Sequence, residues 1–109
     1  MVPDFEPLFM EFGVDVYASG HIHDYEWIYP TYNGTALQRN FTNPQAPVHL
    51  VTGNGGPPSP SGFSHIEHYS HSHSSEYSYT HLIAYNATTM KWVQVAFLNR
   101  TFSDYRALL

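Results

Sequence analysis

The sequence contains no cysteine, few charged residues and no long apolar run. Without cysteine, its 109 residues hold neither a disulfide framework nor a thiolate metal site. Four Lys and Arg against nine Asp and Glu give a formal net charge of −5, so nucleic acid and anionic membrane surfaces are not expected partners. No segment approaches the ~18 consecutive apolar residues that a membrane span requires. What remains is at most one domain, and a small one.

Aromatic residues and glycosylation sequons are abundant instead. Aromatics make up 17% of the chain and charged residues 12%, a balance that is too apolar for a disordered segment. Four Asn-x-Thr sequons mark candidate glycosylation sites on surface turns, at Asn33, Asn40, Asn86 and Asn99. Residues 1–5 show neither the basic nor the apolar region of a signal peptide. We therefore expect the C-terminal piece of a longer protein of the secretory or vacuolar–lysosomal pathway.

Apolar periodicity predicts one short helix at the start of the chain. Apolar residues at i, i+3, i+4 and i+7 from Phe5 indicate a helix over 4–12, with Asp4 as its N-cap and Gly13 just beyond its end. So short a helix is not stable alone in water, so its apolar stripe needs a surface to pack against.

The middle of the chain is predicted to form strands. Residues 14–18 and 48–52 are apolar and β-branched, and the second run is typical of a buried strand. Residues 25–32 alternate weakly and contain Pro30, which favours an edge or irregular strand. Asn33-Gly34 indicates a hairpin turn.

The second half of the chain is predicted to form a loop followed by a hairpin. Glycine, proline, serine and histidine dominate about 57–75, which predicts a histidine-rich loop. Alternation over 77–85 and 90–98 predicts two strands joined at 86–89. Residues 102–109 carry no clear pattern and are expected to be helical or frayed.

The stretch with the most chemical interest is Gly20-His21-Ile22-His23, which directly follows the strand predicted at 14–18. In an extended chain His21 and His23 would leave the same side of the backbone, roughly 6–7 Å apart at Cα. That spacing suits one ring for each metal of a pair about 3.5–4 Å apart. Neutral imidazole is the commonest protein ligand for zinc, iron and copper. By itself, His-x-His is a weak signal, because exposed histidine pairs are common and loop histidines hydrogen-bonded to backbone are the more ordinary interpretation.

The context of these histidines resembles the last metal-ligand block of the purple acid phosphatases. The chain reads FGVDVYASGHIHDYE over 12–26, which is similar to the family signature GVDV…(G/A)HxHxYER. Residues 46–53 resemble the family's next core strand, with a glycine-rich exit over 53–56, and SSEYSYT at 74–80 is similar to the family's SSDYGYT. The three blocks follow one another in the family's order and cover most of residues 5–97.

This resemblance implies that residues 1–109 are the C-terminal, β-rich portion of an α/β (α+β) metallophosphoesterase sandwich, an incomplete domain. It also implies phosphomonoester hydrolysis at a dinuclear centre of ferric iron and a divalent metal (zinc, manganese or iron). By position, His21 would bind the divalent metal and His23 the ferric iron. The family's Asp-x-Gly, Gly-Asp-x-x-Tyr and Gly-Asn-His blocks do not occur in the chain. We therefore assign no catalytic residue and expect the isolated chain to be inactive.

Two neighbours of the histidines bear on this interpretation. Trp27 stands where the family usually has arginine, and this departure puts the local packing in doubt more than the metal ligation. Asp24 is a candidate for orienting an imidazole from behind the metal site. An exposed turn aspartate is the more ordinary interpretation of Asp24.

A second histidine group follows later in the chain. Glu67 and four histidines fall within 65–73, and the histidines are His65, His68, His71 and His73. Such a group could chelate zinc or copper, or border the mouth of an active site and touch substrate. It has no tetrahedral zinc spacing, and a polar surface loop is the more ordinary interpretation.

Three functional hypotheses follow. The first is an acid phosphatase whose last two histidine ligands come from this chain. Its partners would be a phosphomonoester and the missing N-terminal half of the parent domain, with a homodimer as another way to cover an exposed sheet face. The second hypothesis is a non-catalytic secreted glycoprotein remnant, and the third is a metal-binding module built on 65–73.

Overall fold

The computed structural model describes residues 4–56, 67–96 and 100–108. Within these ranges the chain forms one helix and nine strands. They are α1 (Glu6–Glu11), β1 (Val16–Ser19), β2 (Tyr25–Ile28), β3 (Thr31–Tyr32), β4 (Thr35–Ala36), β5 (Val48–Thr52), β6 (Ser70–Ser74), β7 (Ser78–Asn86), β8 (Thr89–Ala96) and β9 (Arg100–Leu108). In these ranges no helix is long and apolar enough to cross a membrane.

Helix α1 is shorter than predicted and ends as predicted. Gly13 has a φ of +61°, and the N–H groups of Gly13 and Val14 donate to the carbonyls of Met10 and Phe9. This pattern is a Schellman motif, which favours glycine because its left-handed residue has no Cβ. The prediction that Asp4 caps the helix is wrong, since the helix begins after Phe5 without a side-chain cap.

The apolar stripe of α1 is mostly uncovered in the part of the chain that the structure describes. The Phe9 ring packs 5.2 Å from the Tyr17 ring of β1, measured between centroids. By contrast, 73% of the Phe12 side-chain surface is exposed, and Phe5 and Leu8 are also exposed. The stripe therefore contacts β1 through one of its members and presents the others outward.

The first sheet has the strand order β1-β5-β2-β6. Strand β5 pairs in parallel with β1 and antiparallel with β2, and it begins with buried residues, as its apolar sequence predicts. Of the two alternatives predicted for 25–32, the edge strand is wrong because β2 lies between two partners, and the irregular strand is confirmed by a register shift between Trp27 and Ile28. Pro30 falls beyond the end of β2, so its missing N–H does not interrupt the sheet.

The second sheet has the order β7-β8-β9. Strands β7 and β8 form the predicted hairpin, although the turn is shorter than expected. The expectation of a helical or frayed tail is wrong for 102–108, because β9 pairs with β8 along its length. Asn33 and Gly34 connect β3 and β4 as the predicted hairpin.

The core lies between the two sheets. Strand register places Trp27 opposite Leu50, and the Trp92 ring of β8 meets the Trp27 ring edge-on at 5.0 Å. The cluster consists of Tyr25, Trp27, Phe41, Val48, Leu50 and Trp92. All six are fully or almost fully buried, and the packing of the four aromatic rings carries much of a small core's stability.

Part of the predicted histidine-rich loop is a strand. Residues 70–74 form β6, which pairs with β2, so the loop prediction over 57–75 is wrong for this segment. Backbone pairing with a neighbouring strand imposes the extended conformation on a serine–histidine sequence whose composition does not indicate it. Residues 57–66 lie outside the described part of the chain.

Candidate metal centre

The histidine segment is a tight bend, and this differs from the extended chain that the sequence predicts. The N–H of Ile22 donates to the carbonyl of Gly20 at 2.9 Å, and His21 has a φ of +74°. A left-handed conformation is uncommon for a residue with a side chain and persists only where the surroundings hold it. His21 is exposed and His23 half-buried, so both imidazoles can be reached from outside.

The bend lies directly against the exit of β5. A Cβ added to Gly53 would meet the Ile22 carbonyl oxygen at 1.9 Å and its carbon at 2.8 Å. Both contacts are with backbone, which cannot swing aside as a flexible side chain could. The N–H of Gly53 also donates to the carbonyl of Asp24 at 3.1 Å. Glycine at position 53 therefore allows the histidine segment to rest on the neighbouring backbone.

Asp24 is buried, with 5% of its surface exposed, so the interpretation as an exposed turn aspartate is wrong. Its Oδ1 atom has no hydrogen-bond partner among the described residues. Burying a carboxylate oxygen without a donor or a cation is costly. The position of this carboxylate, next to His23 in sequence, is consistent with a group that pairs with a cation or with an imidazole N–H.

A buried hydrogen-bond network, which sequence reasoning missed, fixes the residue after Gly53. The amide nitrogen of Asn54 donates to the Glu76 carbonyl at 2.7 Å and to the Ser78 hydroxyl. The amide nitrogen of Gln94 donates to Asn54 Oδ1 at 3.3 Å and to Ser78 Oγ. We call Asn54, Ser78 and Gln94 the amide clamp. Each of its three members is buried.

The clamp continues to β5 through two threonines. Thr80 Oγ1 donates to Gln94 Oε1, and it lies 2.6 Å from the hydroxyl of Thr52. The alternation over 90–98 predicted the strand but not this network. The signal that could have revealed the network is the polar residue Gln94. It lies two residues after Trp92 and therefore on the same face of β8 as this tryptophan.

The described histidines of the second group do not cluster, because each one contacts different neighbours. The register between β2 and β6 shifts at Trp27 and Ile28, so His71 is an extra residue, and its ring centroid lies 4.1 Å from that of Trp27. His71 also contacts Tyr29 and Phe41 edge-on, and burial lowers the pKa of its imidazole. This ring acts as a partly covered aromatic of the core surface.

The remaining members of that group do not gather into a metal site. His73 lies opposite Glu26 across the β2–β6 pair, and the His68 ring packs against Tyr69. Within the described ranges, no group of three or more His, Cys, Asp or Glu residues could hold a metal ion. His65 lies outside those ranges.

Three of the four sequon asparagines fall in the described chain. Asn33 is the first turn residue of the β3–β4 hairpin, with φ at +50°. Asn86 lies at the β7–β8 turn, where its Oδ1 accepts hydrogen bonds from the N–H and the hydroxyl of Thr88. Asn40 Oδ1 accepts from the Thr42 N–H and from the Gln38 amide. Asn99 lies outside the described residues.

The donor chemistry fits one side of a dinuclear centre and not the whole of it. His21 and His23 offer accessible imidazole nitrogens, which are ligands that both zinc and iron accept. The residue that follows His23, Asp24, has a buried carboxyl oxygen without a partner among the described residues. Two imidazoles fill only part of two coordination spheres, so further donors must come from elsewhere.

Comparisons with known proteins agree on one family. The family model described as "Iron/zinc purple acid phosphatase-like protein C" matches residues 46–105. Acid phosphatase type 7 of Mus musculus is 42% identical over 55 residues, which is 47% of this chain and 13% of that protein. An acid phosphatase of Aspergillus ficuum is 34% identical over 127 aligned positions, covering 96% of this chain and 19% of the relative.

The fold is shared with a solved structure. Purple acid phosphatase PPD1, isolated from yellow lupin (Lupinus luteus) seeds, superimposes with a TM-score of 0.87 at 19% sequence identity, over 96% of this chain and 19% of that chain. This likeness confirms the predicted fold class, a β-rich portion of the sandwich with one short helix. The chain spans 13 to 19% of the length of these curated relatives.

Proposed function

This chain belongs to the purple acid phosphatase family, and we propose that it supplies the C-terminal side of a site that hydrolyses phosphomonoesters. Such a site would be completed by the rest of the parent domain. The observation that carries the proposal is the packing of the histidine segment against the exit of β5. His21 and His23 occupy a bend that leaves β1 and rests on Gly53, and Gly53 belongs to the segment that matches the family.

In this proposal His21 holds the divalent metal (zinc, manganese or iron) and His23 holds the ferric iron. When bound, the two cations supply electrostatic stabilisation of the phosphoryl oxygens and of the leaving group. The chain's own residues orient the donors. His21 takes a left-handed backbone conformation, and the close approach of Gly53 to Ile22 keeps the bend beside the exit of β5.

Asp24 is proposed to orient one of the two imidazoles. Ligating histidines commonly donate their second ring N–H to a carboxylate, which fixes the tautomer and the ring direction. The buried, unpartnered Oδ1 of Asp24 supports this role. An Asp24→Asn variant keeps the shape and removes the negative charge, so it should weaken metal binding by about 10-fold or more.

The missing N-terminal part of the parent domain is the proposed partner of α1. Phe5, Leu8, Met10 and Phe12 are exposed apolar residues on or beside this helix. Such a patch on a small unit is typical of an interface. A homodimer is the alternative cover for this patch, and light scattering of the isolated chain would detect it.

The direct test is phosphatase activity in the polypeptide that contains these residues and the rest of the domain. With iron and zinc supplied at acidic pH, His21→Ala and His23→Ala should each abolish hydrolysis of p-nitrophenyl phosphate and lower the bound metal content. His81→Ala is the matched control, because His81 is an exposed histidine on β7, in the second sheet. Full activity in both histidine variants would refute the proposed role of His21 and His23, whereas no hydrolysis by the wild type would favour a non-catalytic secreted remnant.

Glycosylation and passage through the secretory or vacuolar–lysosomal pathway belong to the same proposal. Asn33 and Asn86 lie at hairpin turns, where an oligosaccharide could be attached without displacing core residues. Intact mass before and after peptide-N-glycosidase treatment, on protein secreted from eukaryotic cells, would count the glycans. No mass change would contradict this part of the proposal.

A further inference from the structure

We propose that Gly53 and Asn54 are positioning residues for the histidine segment, so that the C-terminal hairpin β7–β8 sets the placement of His21 and His23. The inference rests on the proposed function of these histidines as metal ligands. Gly53 has no side chain, and the Asn54 side chain is engaged in the amide clamp, so both act on the histidines through the backbone.

The first step is the contact between Gly53 and the bend. The direction in which a Cβ would point from Gly53 is filled by the Ile22 carbonyl and, at 3.4 Å, by the His21 nitrogen. The Gly53 N–H donates to Asp24 on the other side of the two histidines. Gly53 therefore lies against the middle of the segment 21–24 and is hydrogen-bonded to its last residue.

The second step is the strain at His21. A φ of +74° is the left-handed region, which is unfavourable for a residue with a Cβ. An exposed histidine would relax from this conformation unless its neighbours opposed the movement. Gly53 is the neighbour whose backbone fills the space on one side of the His21–Ile22 peptide.

The third step is what holds Gly53. Its neighbour Asn54 is locked in the amide clamp, and the Asn54 carbonyl also accepts the N–H of Ser78 at 3.1 Å. Buried polar networks with their partners in place favour a single arrangement, because any shift leaves groups unpaired in a low-dielectric interior. The position of β7–β8 therefore fixes that of Asn54 and its neighbour Gly53. Gly53 in turn fixes the position of the two histidines.

The experiment compares three variants of the full 109-residue chain with the wild type. Gly53→Ala places a methyl group against the Ile22 carbonyl, and Asn54→Asp keeps the shape of the side chain while removing its N–H donors. Gly55→Ala is the matched control, because its added Cβ would meet Ser78 O at an ordinary 3.7 Å. Zinc alone is titrated, and binding is followed at each histidine through its imidazole resonances, well below the unfolding midpoint of every variant.

We expect Gly53→Ala and Asn54→Asp to weaken zinc binding at His21 and His23 about 10-fold or more, and Gly55→Ala to leave it unchanged. Zinc affinity measured in the folded protein separates positioning from a merely structural role, which would lower the unfolding midpoint alone. Unchanged affinity in both test variants would overturn the inference and leave the proposed function standing.

A measurement without metal distinguishes the two proposals. In the wild type, a nuclear Overhauser contact should join a Gly53 Hα to the amide proton of His21. Asn54→Asp should abolish that contact and move the His21 and His23 imidazole resonances. If the wild-type chain alone binds no zinc at these histidines, the proposed function is still tested by the activity of the complete domain, and retention of the contact in Asn54→Asp overturns the positioning role independently.

Discussion

Gln94→Met tests the amide clamp as a source of stability. Gln94 is fully buried, and its amide bonds to Asn54, Ser78 and Thr80. Methionine has a similar length and volume, so the change removes polar atoms without leaving a large cavity.

The expected loss of stability follows from the hydrogen bonds that each partner of Gln94 retains in the variant. Ser78 still has the Asn54 amide and the Glu76 carbonyl, and Thr80 still has Thr52. Asn54 Oδ1 loses the hydrogen bond from Gln94. One buried acceptor left without a donor costs about 1–3 kcal/mol, and we expect a loss of about 2 kcal/mol in the free energy of unfolding.

Urea and thermal unfolding of the two chains measure this loss. For a chain of this size, about 2 kcal/mol lowers the midpoint by roughly 8–16 °C. Gln38→Met is the control, because the Gln38 hydrogen bonds are exposed to solvent and water can replace them. A Gln94→Met chain as stable as the wild type would refute the reasoning that the buried groups of the amide clamp depend on their hydrogen bonds to Gln94.

Three further changes test the rest of the fold. Trp92→Ala removes the ring that packs on Trp27 and Phe41, and should cost about 3–5 kcal/mol in urea unfolding, with Trp92→Phe costing less. Gly13→Ala should cost about 1 kcal/mol through the φ of +61° alone, since no atom lies within 4 Å of the added Cβ, whereas Gly56→Ala should cost close to nothing. Burial lowers the pKa of His49 below 6.5, with Glu6 opposing, so the unfolded state binds the proton first. Stability that is fully present above pH 6.5 should fall as the pH drops towards the folded-state pKa, by at most about 1.4 kcal/mol per pH unit. His49→Leu should flatten that dependence, and an unchanged pH profile would contradict it.

The parts of the fold with strong local signals were predictable from sequence. The apolar run of β5, the alternation of β7 and β8 and the turn at Asn33-Gly34 each follow from side-chain patterns that need no partner to be recognised. The same holds for Gly13, whose place after the helix follows from its freedom to adopt a positive φ.

Other parts depend on partners distant in sequence. Strand β6 is a serine–histidine sequence that becomes extended because β2 pairs with it, and β9 is extended because β8 does. The inner position of β2 could not be read from its own residues, since pairing with β6 is what removes it from the edge.

The sequence indicated which residues belong to the candidate site but not the backbone conformation that they adopt. The motif located His21 and His23 at the end of β1, but the extended spacing assumed for them is replaced by a bend with a left-handed residue. The burial of Asp24 and the role of Gly53 arise from the close approach of two segments about thirty residues apart. Local patterns carry no information on such an approach.

The measurement that bears most directly on the histidine assignment is anomalous diffraction at the zinc absorption edge from crystals of the chain grown with zinc. We predict an anomalous peak within about 2.0–2.1 Å of an imidazole nitrogen of His21 or His23, the usual zinc–nitrogen distance. Peaks confined to His68 or His73, with none at His21 and His23, would contradict the assignment and favour a metal-binding module built on the second histidine group.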